Sequence, residues 1–401
     1  MKQFDITFFY GPTSEYIVKE EIIADMAASG ITLCQFFWNE TEVIKTALPI
    51  LKKYGLRATV HDCRIHEVYQ QDKPEAADAV VKEVVEDYAL YDNVAEWGIC
   101  DEPDSEKFPV VSAIVEAFRK YSPDKDTVIN LFPDYATPEQ LKSVDYPTHL
   151  KDFVRIVKPH FLSYDYYQFM GRPAYDRWND GTEDERELLR RQAAEGREDR
   201  DGFFDNMELI RKLGLENNLE QMLIMQLVEH ADCRNLTYAE ILWEANMCLA
   251  YGMHRISYFT YWLPDGGETF FKWNNAICDR EGNKYQHYYD VQAVNKEILE
   301  VGQILFETKS EAVFHVGKLE KGTVAFEGYG DIAEIHGDNA VVGFFENGLI
   351  YLTNRNFKEE NTLKICANKE MAMYQKGEFI PCGENYTVTL NAGEGILLKC
   401  K

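Results

Sequence analysis

The chain has 401 residues, 45% of them hydrophobic and 27% charged, which fits a folded globular protein and argues against disorder. Asp plus Glu number 68 against 42 for Lys plus Arg, a net charge of −26 that repels phosphate backbones and anionic lipid, so nucleic acid and membrane surfaces fall away as partners. No run approaches the roughly 18 consecutive apolar residues that a membrane span requires, and a partner that is neutral or cationic, or small enough for local chemistry to decide, is expected.

Along the chain, short apolar runs rich in Val, Ile, Phe, Tyr and Thr alternate with helical patterns. Strands are expected over residues 4–10, 31–37, 57–62, 94–101, 127–132, 161–167, 221–229 and 255–262. Helices are expected over 14–28, 40–54 (closed by Gly55), 74–90, 105–121 (ended by Pro123), 204–213 (closed by Gly214) and 237–251 (closed by Gly252), with Ser105 and Thr237 as N-caps. The acidic and basic stretch 178–202 reads as a solvated helix or loop, with a lid over a barrel mouth as its functional alternative. Residues 284–306 form a last long amphipathic helix. Eight strand–helix repeats make an α/β fold of the (β/α)8 TIM-barrel type over residues 1–306. A doubly wound sheet would share the alternation, but no glycine-rich nucleotide fingerprint follows the first strand. From 311 to 401 the chain turns to short strands with a hairpin signal at Glu346-Asn347-Gly348, and a small antiparallel β-sandwich is expected there.

Nine scattered cysteines without a C-x-x-C pair suggest free thiols, no zinc site and a reducing cytoplasm, and the first residues lack the apolar core of a secretory signal. No metal and no cofactor are expected. The segment His66-Glu67 opens a zinc-helix pattern that Gln70 breaks, and no G-x-S-x-G elbow occurs.

In a barrel, chemistry sits where strands end. The fourth strand ends in Asp101-Glu102-Pro103; alternation of side chains predicts that only one of the two carboxyls faces the mouth. The sixth ends around Asp165 and Tyr166, the seventh around Gln226, Glu229 and His230, and the eighth at Tyr261 and Trp262. Tyr10, Phe37, Trp38, His61 and Asp62 are further mouth candidates. Aromatic rings stack on the C–H faces of a pyranose, and two carboxyls perform glycoside hydrolysis, one as acid and one as nucleophile or base. Glu102 and Glu229, on strands four and seven, would face each other.

The barrel pattern, Glu102 after strand four, a Glu after strand seven and Trp262 after strand eight resemble the clan of retaining β-glycosidases that includes the β-galactosidases. The segments WGICDEP, LSYDYYQF, LAYGMHRISYFTYWLPDG and VTLNAGEGILLK resemble uncharacterised glycoside-hydrolase-like proteins of gut bacteria. The resemblance implies Glu102 as acid/base, Glu229 as nucleophile and Trp262 as sugar platform. Where the clan carries Asn before its acid/base, this chain has Asp101, whose charge would raise the Glu102 pKa. If Glu229 lies past its strand, Asp165 is the next carboxyl and an inverting route opens. Tyr10, Trp38, His61, Asp62, Asp101, Tyr166, Gln226, His230, Tyr261 and Trp262 would line the sugar site. The expected activity is an exo-acting β-glycosidase on short neutral oligosaccharides, possible homo-oligomers included. A non-catalytic carbohydrate-binding barrel is the alternative, and a Mg2+-dependent barrel enzyme using Asp62, Glu102 and Asp165 a weaker one.

Overall fold

The computed structural model describes residues 2–37, 39–171, 199–267 and 271–401. Eight strands appear at the expected places: β1 (Asp5–Phe9), β2 (Leu33–Gln35), β3 (Arg57–Val60), β4 (Val94–Asp101), β5 (Asp126–Leu131), β6 (Phe161–Tyr166), β7 (Glu220–Gln226) and β8 (Arg255–Phe259). All neighbouring pairs are parallel, in the order β1-β8-β7-β6-β5-β4-β3-β2. Thr32 bridges the seam between β1 and β2, its amide donating to the Ile6 carbonyl at 2.9 Å and its hydroxyl accepting from the Ile6 amide at 3.0 Å. The strands therefore form a nearly closed (β/α)8 barrel.

Period-2 alternation sorts each strand into a lumen face and a helix face. In β6, Leu162, Tyr164 and Tyr166 join the large core under the helices, while Phe161 joins a separate lumen cluster with Phe9, Val128, Met222 and Ile224. Below that apolar layer the barrel floor is ionic. Arg255 is bound by Glu96, by Asp126 at 3.0 Å and by Glu220 at 3.3 Å; Thr59 donates to Glu96 at 2.7 Å, and Arg57 pairs with Asp5. Charge at the floor and an apolar middle leave the upper lumen as the place where polar groups meet solvent.

Helices cover the barrel. The helix Tyr238–Ala250 opens with a capping box at Thr237 and Glu240, as its sequence signals, and is buried on every side from Glu240 to Ala250. The helix Phe203–Asn217 runs through Gly214, where termination was expected. A Cβ at Gly214 would lie 1.9 Å from Nε2 of the Gln221 side chain, so this glycine makes room for a side chain of β7, and Asn218 in the left-handed region ends the helix instead. Among the described residues, no helix is long and apolar enough to cross a membrane. The nine cysteines are free. Most of the charged stretch 178–202, and with it the lid reading, lies outside the described residues.

After the helix Gln286–Phe306 the chain forms β9 (Ser310–Val316), β10 (Ile332–His336), β11 (Ala340–Phe345), β12 (Leu349–Asn354), β13 (Asn361–Gln375), β14 (Glu378–Leu390) and β15 (Gly395–Cys400). These make one antiparallel sheet, ordered β10-β13-β15-β12-β11-β9 with β14 also on β13. β13 pairs β10 through its first half and β15 through its second, so a single sheet folds over its own core of Val316, Ile332, Leu352, Leu363, Ile365 and Leu398 in the manner of a sandwich. Its other face joins the barrel core through Val313, Val341, Tyr351 and Leu397, and the Tyr351 hydroxyl donates to Asn246 Oδ1 at 2.6 Å. The hairpin turn falls at Glu346–Gly348, with Asn347 and Gly348 both at positive φ.

Candidate active site

Asp101 and Glu102 both turn into the mouth, which overturns the expectation that alternation would separate them. Two local features break the alternation. The β4–β5 register slips between Gly98 and Cys100, a bulge that brings Asp101 opposite Asn130 on the lumen face. Glu102 then adopts φ 43°, a conformation that costs a non-glycine residue on the order of 1–2 kcal/mol, and is held there by its amide, which donates to the Asn130 carbonyl at 2.8 Å.

Asn130 ties the cluster together. Its Nδ2 donates to Asp101 Oδ1 at 3.0 Å and to Asp165 Oδ1 at 2.9 Å, while the Ser163 hydroxyl donates to its Oδ1 at 3.2 Å. Glu102 and Asp165 are hydrogen-bonded to each other, which two ionised carboxylates cannot be. Burial, the charges of Asp165 and Asp101, and the hydrogen bond to Asp165 push Glu102 up to about 9. Burial and Asp101 raise Asp165 to about 7 against the Asn130 amide, and burial raises Asp101 to about 6 against the same amide. Both carboxyls of the Glu102–Asp165 pair are thus shifted upward, chiefly by burial and by neighbouring carboxylate charge (Asp165 and Asp101 on Glu102, Asp101 on Asp165), so the pair as a unit retains a proton more readily than two free carboxyls would.

Aromatic rings complete the rim. Tyr167 stacks on Phe259 at 5.1 Å and 27°, and Phe259 meets His230 at 5.6 Å and Phe9 at 6.2 Å. Phe9 meets Phe37 at 4.8 Å, and Phe37 meets the His61 ring, just past the end of β3, at 5.8 Å. His230 stacks on Trp273 at 5.1 Å and Trp273 on Phe271 at 4.7 Å, extending the wall outward from β8. Asn130, Tyr167 and Phe259 were not singled out from sequence. Their signals were parity and position: each sits on the lumen face at or just past a strand end.

His61 reaches the lumen as expected, its Nε2 3.0 Å from Gln35 Nε2, and burial drives it down to about 3, so it is neutral. It packs directly over Gly98, where a Cβ would fall 2.0 Å from the imidazole. Gly98→Ala is therefore expected to expel His61 and cost about 1–3 kcal/mol, read as a lower urea midpoint with an unchanged m-value. Tyr10 stays at the rim, at φ 64°, its hydroxyl accepting from the Asp265 amide at 3.2 Å.

Several expected sugar ligands are committed elsewhere. Asp62 caps the helix Cys63–Gln70: its oxygens accept from the Arg64 amide (3.0 Å) and side chain, from Thr41 (3.1 Å) and from Tyr88 (2.8 Å). Burial opposes its charge, yet the Arg64 and Tyr88 hydrogen bonds outweigh this and hold it below its ordinary value. It does not join Glu102 and Asp165, so the three carboxyls proposed for Mg2+ are not brought together. Gln226 spends its amide on the loop after β6, accepting from the Phe169 amide at 2.9 Å and donating to the Phe169 carbonyl at 3.0 Å. Tyr166 faces the helices and packs on Tyr135 and Phe203. Tyr261 and Trp262 are fully buried; Trp262 lies against Tyr16, so neither offers a ring to the mouth, and Phe259 stands at the end of β8 in their place. Trp38 lies outside the described residues.

Glu229 lies three residues past β7. Its backbone pairs both ways with Asn274 at 2.9 and 3.0 Å, and its Oε2 accepts from Asn275 Nδ2 at 2.9 Å, so the segment after β8 holds it. Among the described residues, no hydrogen bond joins it to Glu102, Asp101 or Asp165.

The same barrel recurs in solved structures. A family 5 glycoside hydrolase from Bacteroides vulgatus is 11% identical, with 96% of this chain and 86% of that one covered at a TM-score of 0.58. A family 39 glycoside hydrolase from the gut symbiont Bacteroides cellulosilyticus is 12% identical over 100% and 81% of the two chains, at 0.53. The β-galactosidase of the psychrophilic Marinomonas ef1 is 13% identical over 77% of this chain, which spans 62% of that enzyme's length, at 0.53. No protein-family model and no curated protein matches the chain. The chain thus shares the barrel fold of these glycoside hydrolases, and its carboxyl cluster lies at the C-terminal ends of the strands.

Proposed function

We propose that the protein is a glycoside hydrolase whose general acid is Glu102. The observation that supports this is the buried cluster of Glu102, Asp165 and Asp101 tied together by Asn130 beside aromatic side chains, a setting that favours the protonated form of a carboxyl. Glu102 would donate that proton to the glycosidic oxygen, and Phe259, Tyr167 and Phe37 would hold the sugar's apolar face. A direct hydrogen bond is far shorter than the roughly 5–5.5 Å between the two working carboxyls of a retaining glycosidase. Asp165 therefore serves to raise Glu102, and Glu229 supplies the second carboxylate from the far side of the mouth. Short, neutral β-linked oligosaccharides, cleaved from one end, are the substrates this reading favours; a net charge of −26 disfavours anionic ones.

The test is turnover of a panel of nitrophenyl glycosides by wild type, Glu102→Gln and Glu229→Gln. If Glu229 attacks the anomeric carbon, Glu229→Gln removes at least about 10²-fold of turnover even on activated leaving groups, where Glu102→Gln costs less. The hold of Asn275 on Glu229 favours a second reading, a barrel that binds sugar without cleaving it. Its signature is no turnover on any glycoside, with oligosaccharides still raising the melting temperature.

A further inference from the structure

The outer face of the C-terminal sheet gathers Glu334, His336 and Cys366, far from the barrel mouth in sequence and independent of the reading above. We propose that these three side chains bind a zinc-like divalent cation. Their ligand atoms all lie within 4.8 Å of one another, and His336 Nε2 is 2.9 Å from Glu334 Oε2. A tetrahedral zinc with bonds of about 2.0–2.3 Å spaces its ligands about 3.3–3.8 Å apart, so small rotamer adjustments close the site, with solvent as fourth ligand. The backbone makes the juxtaposition. Ile332 points into the core, and without a register shift Glu334 and His336 would follow it. The bulge between Ile332 and Glu334 turns both outward and sets Glu334 opposite Cys366, which alternates with the buried Leu363 and Ile365.

Imidazole nitrogen and thiolate sulfur select zinc or cobalt over calcium and magnesium, which take oxygen ligands. Lys364, opposite His336, adds a like charge that weakens a cation held by charge alone more than one bonded to thiolate. Binding would release the Cys366 thiol proton and clamp the edge strand β10 onto β13. Spacing rules for zinc motifs miss such a set because a ladder, not a loop, assembles it.

The experiment uses the full chain, reduced and chelator-washed, titrated with Co2+ as a spectroscopic probe. One equivalent should give a thiolate-to-cobalt absorption band that Zn2+ abolishes and that is lost in Cys366→Ser and weakened in His336→Gln. Both variants lie on the solvent face, so their metal-free melting temperatures should match wild type. Absence of the band in wild type, or its persistence in Cys366→Ser, which would trace it to another of the nine cysteines, overturns the proposal.

Discussion

Glu102→Gln is expected to cut turnover of an unactivated glycoside by about 10²–10⁴-fold, the usual worth of a positioned general acid. The loss should shrink with a nitrophenol leaving group, which needs little protonation, and that dependence separates a missing acid from a damaged fold. The same variant should change stability in a pH-dependent way. Glu102 at about 9 and Asp165 at about 7 stand above the unfolded carboxyl range of roughly 4. The native chain therefore binds more protons than the unfolded one. That contribution is complete below about pH 4 and is lost as pH rises through the folded values, at up to about 1.4 kcal/mol per pH unit for each proton held. Gln cannot ionise, so the variant should melt higher than wild type at pH 9 and show a flatter profile between pH 5 and 9. Wild-type turnover should fall on the alkaline side as Glu102 loses its proton. Turnover within a few-fold of wild type across leaving groups would remove Glu102 from the reaction.

How far the sequence led depends on which physics placed each residue. All eight strands were readable because buried parallel strands are apolar on both faces and punctuated by turns. Glu102 and Asp165 were readable because a carboxyl at the end of such a strand has few reasons to be there. What the pattern could not carry was departure from alternation. A bulge in β4 and a positive φ at Glu102 reverse the inference drawn for Asp101, and neither leaves a signature at a non-glycine residue. Asp62, Gln226 and Trp262 sit at strand ends as a sugar ligand would, but their partners (Arg64 and Tyr88, the Phe169 backbone, Tyr16) are brought up by other segments. Strand-end position thus identifies the rim, and only tertiary contacts tell a free side chain from a committed one.

The largest loss of stability is expected at the other end of the barrel. Arg255 on β8 is buried under the apolar layer, and burial opposes its charge; Glu96, Asp5, Glu220 and Asp126 outweigh this and hold its pKa above the ordinary value. Glu96 feels the opposite balance, with burial raising its carboxyl more than Arg255 and the Thr59 hydroxyl lower it. Three carboxylates converge on this one guanidinium, from β4, β5 and β7. Arg255→Met fills much of the same volume but leaves them facing one another, and removing one partner of a buried ion pair costs about 3–5 kcal/mol. Lys2, which reaches Asp126 at 3.0 Å and Glu220 at 3.2 Å, can answer only those two; Glu96, fully enclosed, is left with Thr59. The variant's denaturation midpoint should therefore recover on mild acidification, as Glu96 takes up a proton. Arg255→Met combined with Glu96→Gln should regain part of the loss at neutral pH, because the deficit lies in the stranded charge more than in the missing contact. Equal destabilisation of the single and double variants would show instead that packing around Arg255, including its stacking on Phe161 at 4.3 Å, sets the cost.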